Sequence, residues 1–260
     1  MVVVDHDARR LVWAAPGRDR ASLAGFFELL GPARSAQITH VSADGAEFID
    51  AVVAQYCPNA VRVADPFHIV KWATDALDEV RRGAWNEARR LARGEPKRGR
   101  GRPRADAPPR PGSERARTLK GCRFALWKNP EDLTESQHAQ LSWIAATDPH
   151  LHRAYLLKEA LRLIFQMTHE EAAAALDRWI SWARRCRIPA FVKLQQSIVK
   201  HRARILAAIE HHLSNGLIES TNTKIRLITR MAYGFASPAP LIALALLSLG
   251  GHRPTLPGRK

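Results

Sequence analysis

The sequence predicts an α/β protein in which a mixed sheet with its helices is interrupted by a long all-helical stretch. Three observations predict it. Strand-like and helix-like segments alternate from residue 1 to 92 in the order β-β-α-β-α-β-α, which suits helices layered on a mixed sheet. Only helical periodicity is found from 118 to 213. Between them, 93–117 holds nine Arg or Lys, five Pro and four Gly with almost no apolar content, so it reads as a disordered basic loop. The expected organisation is therefore a core over 1–92, a loop over 93–117, a helical insertion over 118–213, and core helices over 214–260.

Each element has a local reason. "MVVVDHDARRLVWAAPG" reads as strands at 2–5 and 11–15 joined by a polar turn, a hairpin. "DRASLAGFFELLG" spaces its apolar residues helically and stops at Gly31. "QITHVSAD" is a third strand that ends at Asp44. "GAEFIDAVVAQYC" is a helix with Phe48, Val52 and Tyr56 on one side. "AVRVAD" is a fourth strand that ends at Asp65, and a helix follows from Phe67 to about Leu91. In the helical stretch, "TESQ" at 134–137 and "THEE" at 168–171 have the spacing of capping boxes. Helices are expected near 134–147, 150–166, 169–186 and 190–213, then 217–232 and 238–250. Trp143, Trp179 and Trp182 read as core anchors rather than base-stacking platforms.

Composition narrows the function classes. The 260 residues carry 40 Lys and Arg against 25 Asp and Glu, a net charge of +15, which favours a polyanion such as DNA. The three cysteines, Cys57, Cys122 and Cys186, lie far apart without a CxxC pair, so they read as buried thiols of a cytoplasmic protein. The most apolar run, "LIALALLSL" at 241–249, is short of the roughly 20 residues of a membrane span. Neither a membrane partner nor a small-molecule cofactor is expected.

Three acids stand out by position. Asp44 and Asp65 follow strands, where functional groups of α/β sheets gather. Glu219 opens the late helix in "NGLIESTNTKIRLITRMAYGF". Carboxylates from separate segments suit Mg2+ or Mn2+, ions able to run phosphodiester chemistry. The plainer readings stay open: Asp44 as a turn or cap, Asp65 capping a helix with Pro66 at its first position, and Glu219 favouring the helix dipole. In the late helix Ile218, Ile225, Ile228 and Ala232 share one face, and Glu219, Asn222, Thr223, Arg226 and Arg230 share another. Lys224, Arg226 and Arg230 are candidate DNA contacts. In the loop, "RGRP" at 100–103 is similar to the core of a minor-groove hook. Arg100 and Arg102 would make the groove contacts, and the alternative is a solvated basic linker.

Three stretches carry a family likeness: "VSADGAEFIDAVVAQYCPNAVRVADPFHIVKWA" at 41–73, "LTESQHAQL" with "AYLLKEALR" in the helical part, and the Glu219 helix. The chain resembles the DDE transposases of bacterial insertion sequences, of the ISL3 family. The resemblance implies an RNase-H-like core, interrupted by a helical insertion, that uses a divalent ion to cut element ends and join them to target DNA. It implies Asp44 as the second catalytic aspartate and Glu219 as the terminal glutamate. Asp65 and His68 match an Asp-x-x-His signature, and Asp65 is the alternative second aspartate. A homodimer acting on paired DNA ends is implied as well. Ser220 stands where the family usually has Gly. The family's leading zinc segment, its helix-turn-helix reader and the first core strand with its aspartate find no match ahead of "VVVD". Asp5 and Asp7 are poor stand-ins, because metal sites demand tight geometry. The expectation is an N-terminally truncated copy that is not competent alone. The alternative is a non-catalytic, basic DNA-binding protein derived from a transposase.

Overall fold

The opening hairpin pairs β1 (Val2–Asp5) with β2 (Arg10–Ala14), antiparallel, with Val3 opposite Trp13 and Val4 opposite Leu11. The register shifts between Val3 and Val4, which leaves Val12 as the extra residue of a bulge. The computed structural model describes residues 1–43, 45–95 and 110–251, which fall into two units.

The first unit is Met1–Phe67 together with the chain from His211 on. After the hairpin come α1 (Arg20–Leu30), a short α2 (Pro32–Ser35), β3 (His40–Ser42), α3 (Glu47–Tyr56) and β4 (Val61–Val63). Asp19 caps α1 by accepting from the Ser22 amide at 2.8 Å, and Gly31 ends it at φ 80°, a conformation that suits glycine. β3 and β4 run parallel, with Ser42 opposite Val63, and α3 makes the crossover. The expected strands are present, but among the described residues they form two separate pairs rather than one mixed sheet.

One apolar cluster serves both pairs. Leu23, Phe26 and Phe27 of α1 meet Val52 and Val53 of α3 and Cys57. Val3 of β1, Trp13 of β2 and Val41 of β3 pack against it. Phe27 stacks on Tyr56 with ring centroids 5.2 Å apart. Burying each such side chain contributes about 1.5–3 kcal/mol, so this layer fixes where the strands lie. Two later helices of the same unit, α12 (Gly216–Met231) and α13 (Pro238–Leu249), pack against β1 and β2 respectively.

The second unit, His68–Glu210, is helical throughout its described residues. α4 (Pro66–Ala92) enters it. There follow α5 (Pro111–Gly121), α6 (Arg123–Trp127), α7 (Glu135–Thr147), α8 (Pro149–Ile164), α9 (His169–Arg185), α10 (Pro189–Lys200) and α11 (Arg202–His211). Both capping boxes form: Thr134 with Gln137 opens α7, and Thr168 with Glu171 opens α9. Trp179 is buried and its indole N–H donates to the Leu157 carbonyl at 2.8 Å, whereas Trp182 is 37% exposed and is not a core anchor.

Two helix limits differ from the sequence expectation. α5 begins at Pro111, inside the stretch read as a loop. Its cap comes from Glu95, which accepts from the Gly112 amide (2.6 Å), the Ser113 amide (3.2 Å) and the Ser113 hydroxyl (2.6 Å). The expected helix at 190–213 is two, broken at His201. The His201 ring rests on Trp72, and Arg202 forks onto Asp177 at 2.8 Å, so side-chain ties rather than a local breaker set the break.

This unit also buries an ionic chain. Lys158, 1% exposed, donates to Glu159, whose other oxygen accepts from Arg162 Nε at 2.7 Å. Arg162 in turn forks onto Glu131. Burial pulls the Lys158 ammonium below its ordinary value, against the pull of Glu159.

Candidate functional site

The parallel pairing of β3 with β4 sets their carboxyl ends side by side. Functional groups of α/β proteins gather at such ends. Ser42 is the last residue of β3, and Asp44, two residues on, lies outside the described residues. Asp65 stands two residues beyond the end of β4, just before Pro66 opens α4. The residue is 4% exposed, and its carboxylate accepts from the Asn215 backbone amide at 3.1 Å. A buried carboxylate needs such donors, since desolvation without them costs several kcal/mol.

Asn215 is the joint of this arrangement. It is 3% exposed, and its side-chain oxygen accepts from the Ser42 hydroxyl at 2.6 Å. Its backbone carbonyl accepts from the Glu219 amide at 3.0 Å, closing the first turn of α12. Residues 173 and 150 positions apart are thereby tied together. The sequence reading missed Asn215 and Ser42. An Asn-Gly pair ahead of a helix looks like an ordinary cap. Yet Asn215 has φ −78° and ψ 6° rather than an extended cap geometry, and its side chain makes no cap bond.

α12 presents the expected two faces. Ile218, Ile225 and Ile228 are half-buried, while Glu219, Thr223, Lys224, Arg226 and Arg230 are exposed and Asn222 is half-buried. At 100° per residue, Glu219, Arg226 and Arg230 lie within about 20° of one line along the helix. Arg226 and Arg230 stand about 10 Å and 16 Å along the axis from Glu219 at 1.5 Å per residue. The stripe thus runs from an acid to two cations. Ala232 is exposed, so the apolar face stops short of it.

The remaining candidates fall elsewhere. His68 is the third residue of α4, half-buried, and belongs to the second unit. Arg100 and Arg102 lie outside the described residues. Asp5 is engaged in the hairpin turn, where its carboxylate accepts from the Asp7 and Ala8 amides at 2.9 and 3.0 Å. The three cysteines are buried free thiols, and burial pushes that of Cys122 up to about 11, so thiolate chemistry has no foothold there. No described helix is long and apolar enough to cross a membrane.

Among the described residues no group of three His, Cys, Asp or Glu could hold a metal ion. Glu219 is an exposed carboxylate whose oxygens suit a hard divalent cation. The other donor nominated by the sequence is Asp44.

Comparison with known proteins adds lineage. A transposase family model, that of the ISL3-type DDE transposases, matches residues 1–245. Two relatives named as the transposase for insertion sequence element IS1557 come from Mycobacterium tuberculosis, strains CDC 1551 / Oshkosh and H37Rv. Each is 67% identical over 258 residues, 99% of this chain and 58% of the relative. The transposase for insertion sequence element IS1001 of Bordetella parapertussis is 29% identical over 236 residues, 90% of this chain and 53% of the relative. The chain therefore spans little more than half the length of these relatives. No solved structure matches it.

Proposed function

The chain belongs to the ISL3 family of DDE transposases, and on that premise we propose that it serves DNA transposition by metal-dependent strand cleavage and transfer. The observation that carries the proposal is the anchoring of α12. One turn before Glu219, Asn215 is hydrogen-bonded to Ser42, the last residue of β3, and to the carboxylate of Asp65, two residues past β4. Asp65 and the residue one turn ahead of Glu219 are thus held together although 150 positions apart. The core on this reading is RNase-H-like.

Asp44 and Glu219 are the residues proposed to hold the ion, Mg2+ or Mn2+. When bound, such an ion supplies Lewis acidity and orients the phosphodiester. Arg226 and Arg230 hold the DNA backbone by charge and set the distance from it to Glu219, while Lys224, about 140° around the helix from Glu219, makes a separate contact. Asp65 supports the site by fixing the start of α12, since one carboxylate oxygen is engaged by the Asn215 amide. His68, in the same Asp-x-x-His segment, is assigned a supporting role. The partner is DNA, both element ends and target, and the acting form is a homodimer.

The test is a nicking assay on supercoiled plasmid with Mg2+ or Mn2+, comparing wild type with Glu219→Gln. Metal-dependent nicking that the substitution abolishes would support the metal role of Glu219 and overturn the expectation that the chain is not competent alone. DNA binding without nicking, equal in both proteins and indifferent to metal, would favour the non-catalytic DNA-binding reading.

A further inference from the structure

We propose that Asn215, held by Ser42, is a positioning residue that sets the reach of Glu219. The inference rests on the assignment of Glu219 above. Asn215 is almost fully buried, yet it spends none of its side chain on its own helix. The amide oxygen faces β3 and takes the Ser42 hydroxyl at 2.6 Å. Its backbone N–H goes to Asp65, and its carbonyl holds the Glu219 amide. The links from Ser42 and from Asp65 to the first turn of α12 both run through this one residue.

A helix start normally caps itself, because the first four N–H groups lack partners within the helix. Here the asparagine side chain is diverted to a strand end. The local helix loses its usual cap, and the first turn gains a fixed distance to β3. Such an exchange weakens α12 as an isolated helix. It makes sense where the placement of a residue in that turn matters more than the helix's own stability. Glu219 is the acidic residue of that turn. Because a metal ligand displaced by about 1 Å loses much of its use, a single short hydrogen bond can govern the site without touching ion or DNA.

Removing the Ser42 hydroxyl tests this while leaving α12 chemically intact. Ser42→Ala, Ser42→Thr and wild type are compared by hydrogen exchange of peptides covering 215–223, and by the Mn2+ dissociation constant of the purified chain. Ser42→Ala should exchange about fivefold to tenfold faster at the first turn of α12, with the peptides of α1 and α3 unchanged. Its Mn2+ dissociation constant should rise on the order of tenfold while DNA affinity stays the same. Ser42→Thr, which keeps the hydroxyl, should restore both. Unchanged exchange in Ser42→Ala overturns the proposal. So does faster exchange with an unshifted Mn2+ dissociation constant, because the tie would then be structural only. Faster exchange in Ser42→Ala, with wild type and Glu219→Gln binding Mn2+ equally, removes the role assigned to Glu219 and the positioning claim with it. The exchange arm tells that failure apart from the first.

Discussion

Replacing Arg226 and Arg230 together by alanine should change how DNA binding responds to salt, and by a calculable amount. Both side chains are exposed on α12, four residues and about 6 Å apart along the axis. Each cation that neutralises one phosphate contributes about 0.9 to the slope of log K against log salt. Removing two should lower that slope by about 1.8. Between roughly 50 and 200 mM salt, a fourfold change, this difference amounts to about one decade in affinity. Wild type should therefore lose about tenfold more affinity than the double variant across that range. Stability should move by no more than about 0.5 kcal/mol, as for other exposed positions, so a melting curve separates loss of contact from loss of fold. The assay is fluorescence anisotropy of a labelled duplex at five or six salt concentrations. Parallel slopes for the two proteins would refute the placement of DNA along this stripe.

Three further outcomes follow from the packing. Glu159→Ala leaves Lys158 buried without its carboxylate and should cost about 3–5 kcal/mol in urea unfolding; a loss below about 1 kcal/mol would contradict the buried ionic chain. The Ser113 hydroxyl, with the Gly112 and Ser113 amides, holds the Glu95 carboxyl below its ordinary value of 4.5. Its stabilisation is thus complete above the unfolded value and is lost as pH falls through the lower folded one. Wild type should lose more Tm than Glu95→Gln on acidification through that window, and equal losses would contradict the clasp. Gly112→Ala would place a methyl 2.9 Å from the Ala92 nitrogen and 3.0 Å from a Glu95 oxygen; it should destabilise by about 1–3 kcal/mol, and an unchanged melting temperature would show that the close approach is not real.

Features fixed by neighbours in sequence were legible in it. Gly31 ended α1, Thr134 and Thr168 opened α7 and α9 with their boxes, and the strand and helix order of the first unit followed from periodicity. Features fixed at a distance were not. The cap of α5 is Glu95, 17 residues from Gly112, and the loop-like composition of 93–117 conceals it. The break at His201 depends on Trp72 and Asp177. Alternation marks a strand but not its partner, so two separate pairs could not be told from one mixed sheet. At the site, the face of Glu219, Arg226 and Arg230 was legible because helical spacing is local. The bridge from Ser42 through Asn215 to Asp65 was not, because each residue alone passes for a strand end, a cap or a turn.

The central claim is that Glu219 is a metal ligand held at the strand ends, and direct Mn2+ titration tests it most plainly. Electron paramagnetic resonance of the free ion, with purified chain and no DNA, reports binding independently of nicking. Wild type should bind Mn2+, and Glu219→Gln and Asp44→Asn should each weaken binding by at least about tenfold while melting like wild type. Equal Mn2+ affinity in wild type and Glu219→Gln would contradict the account.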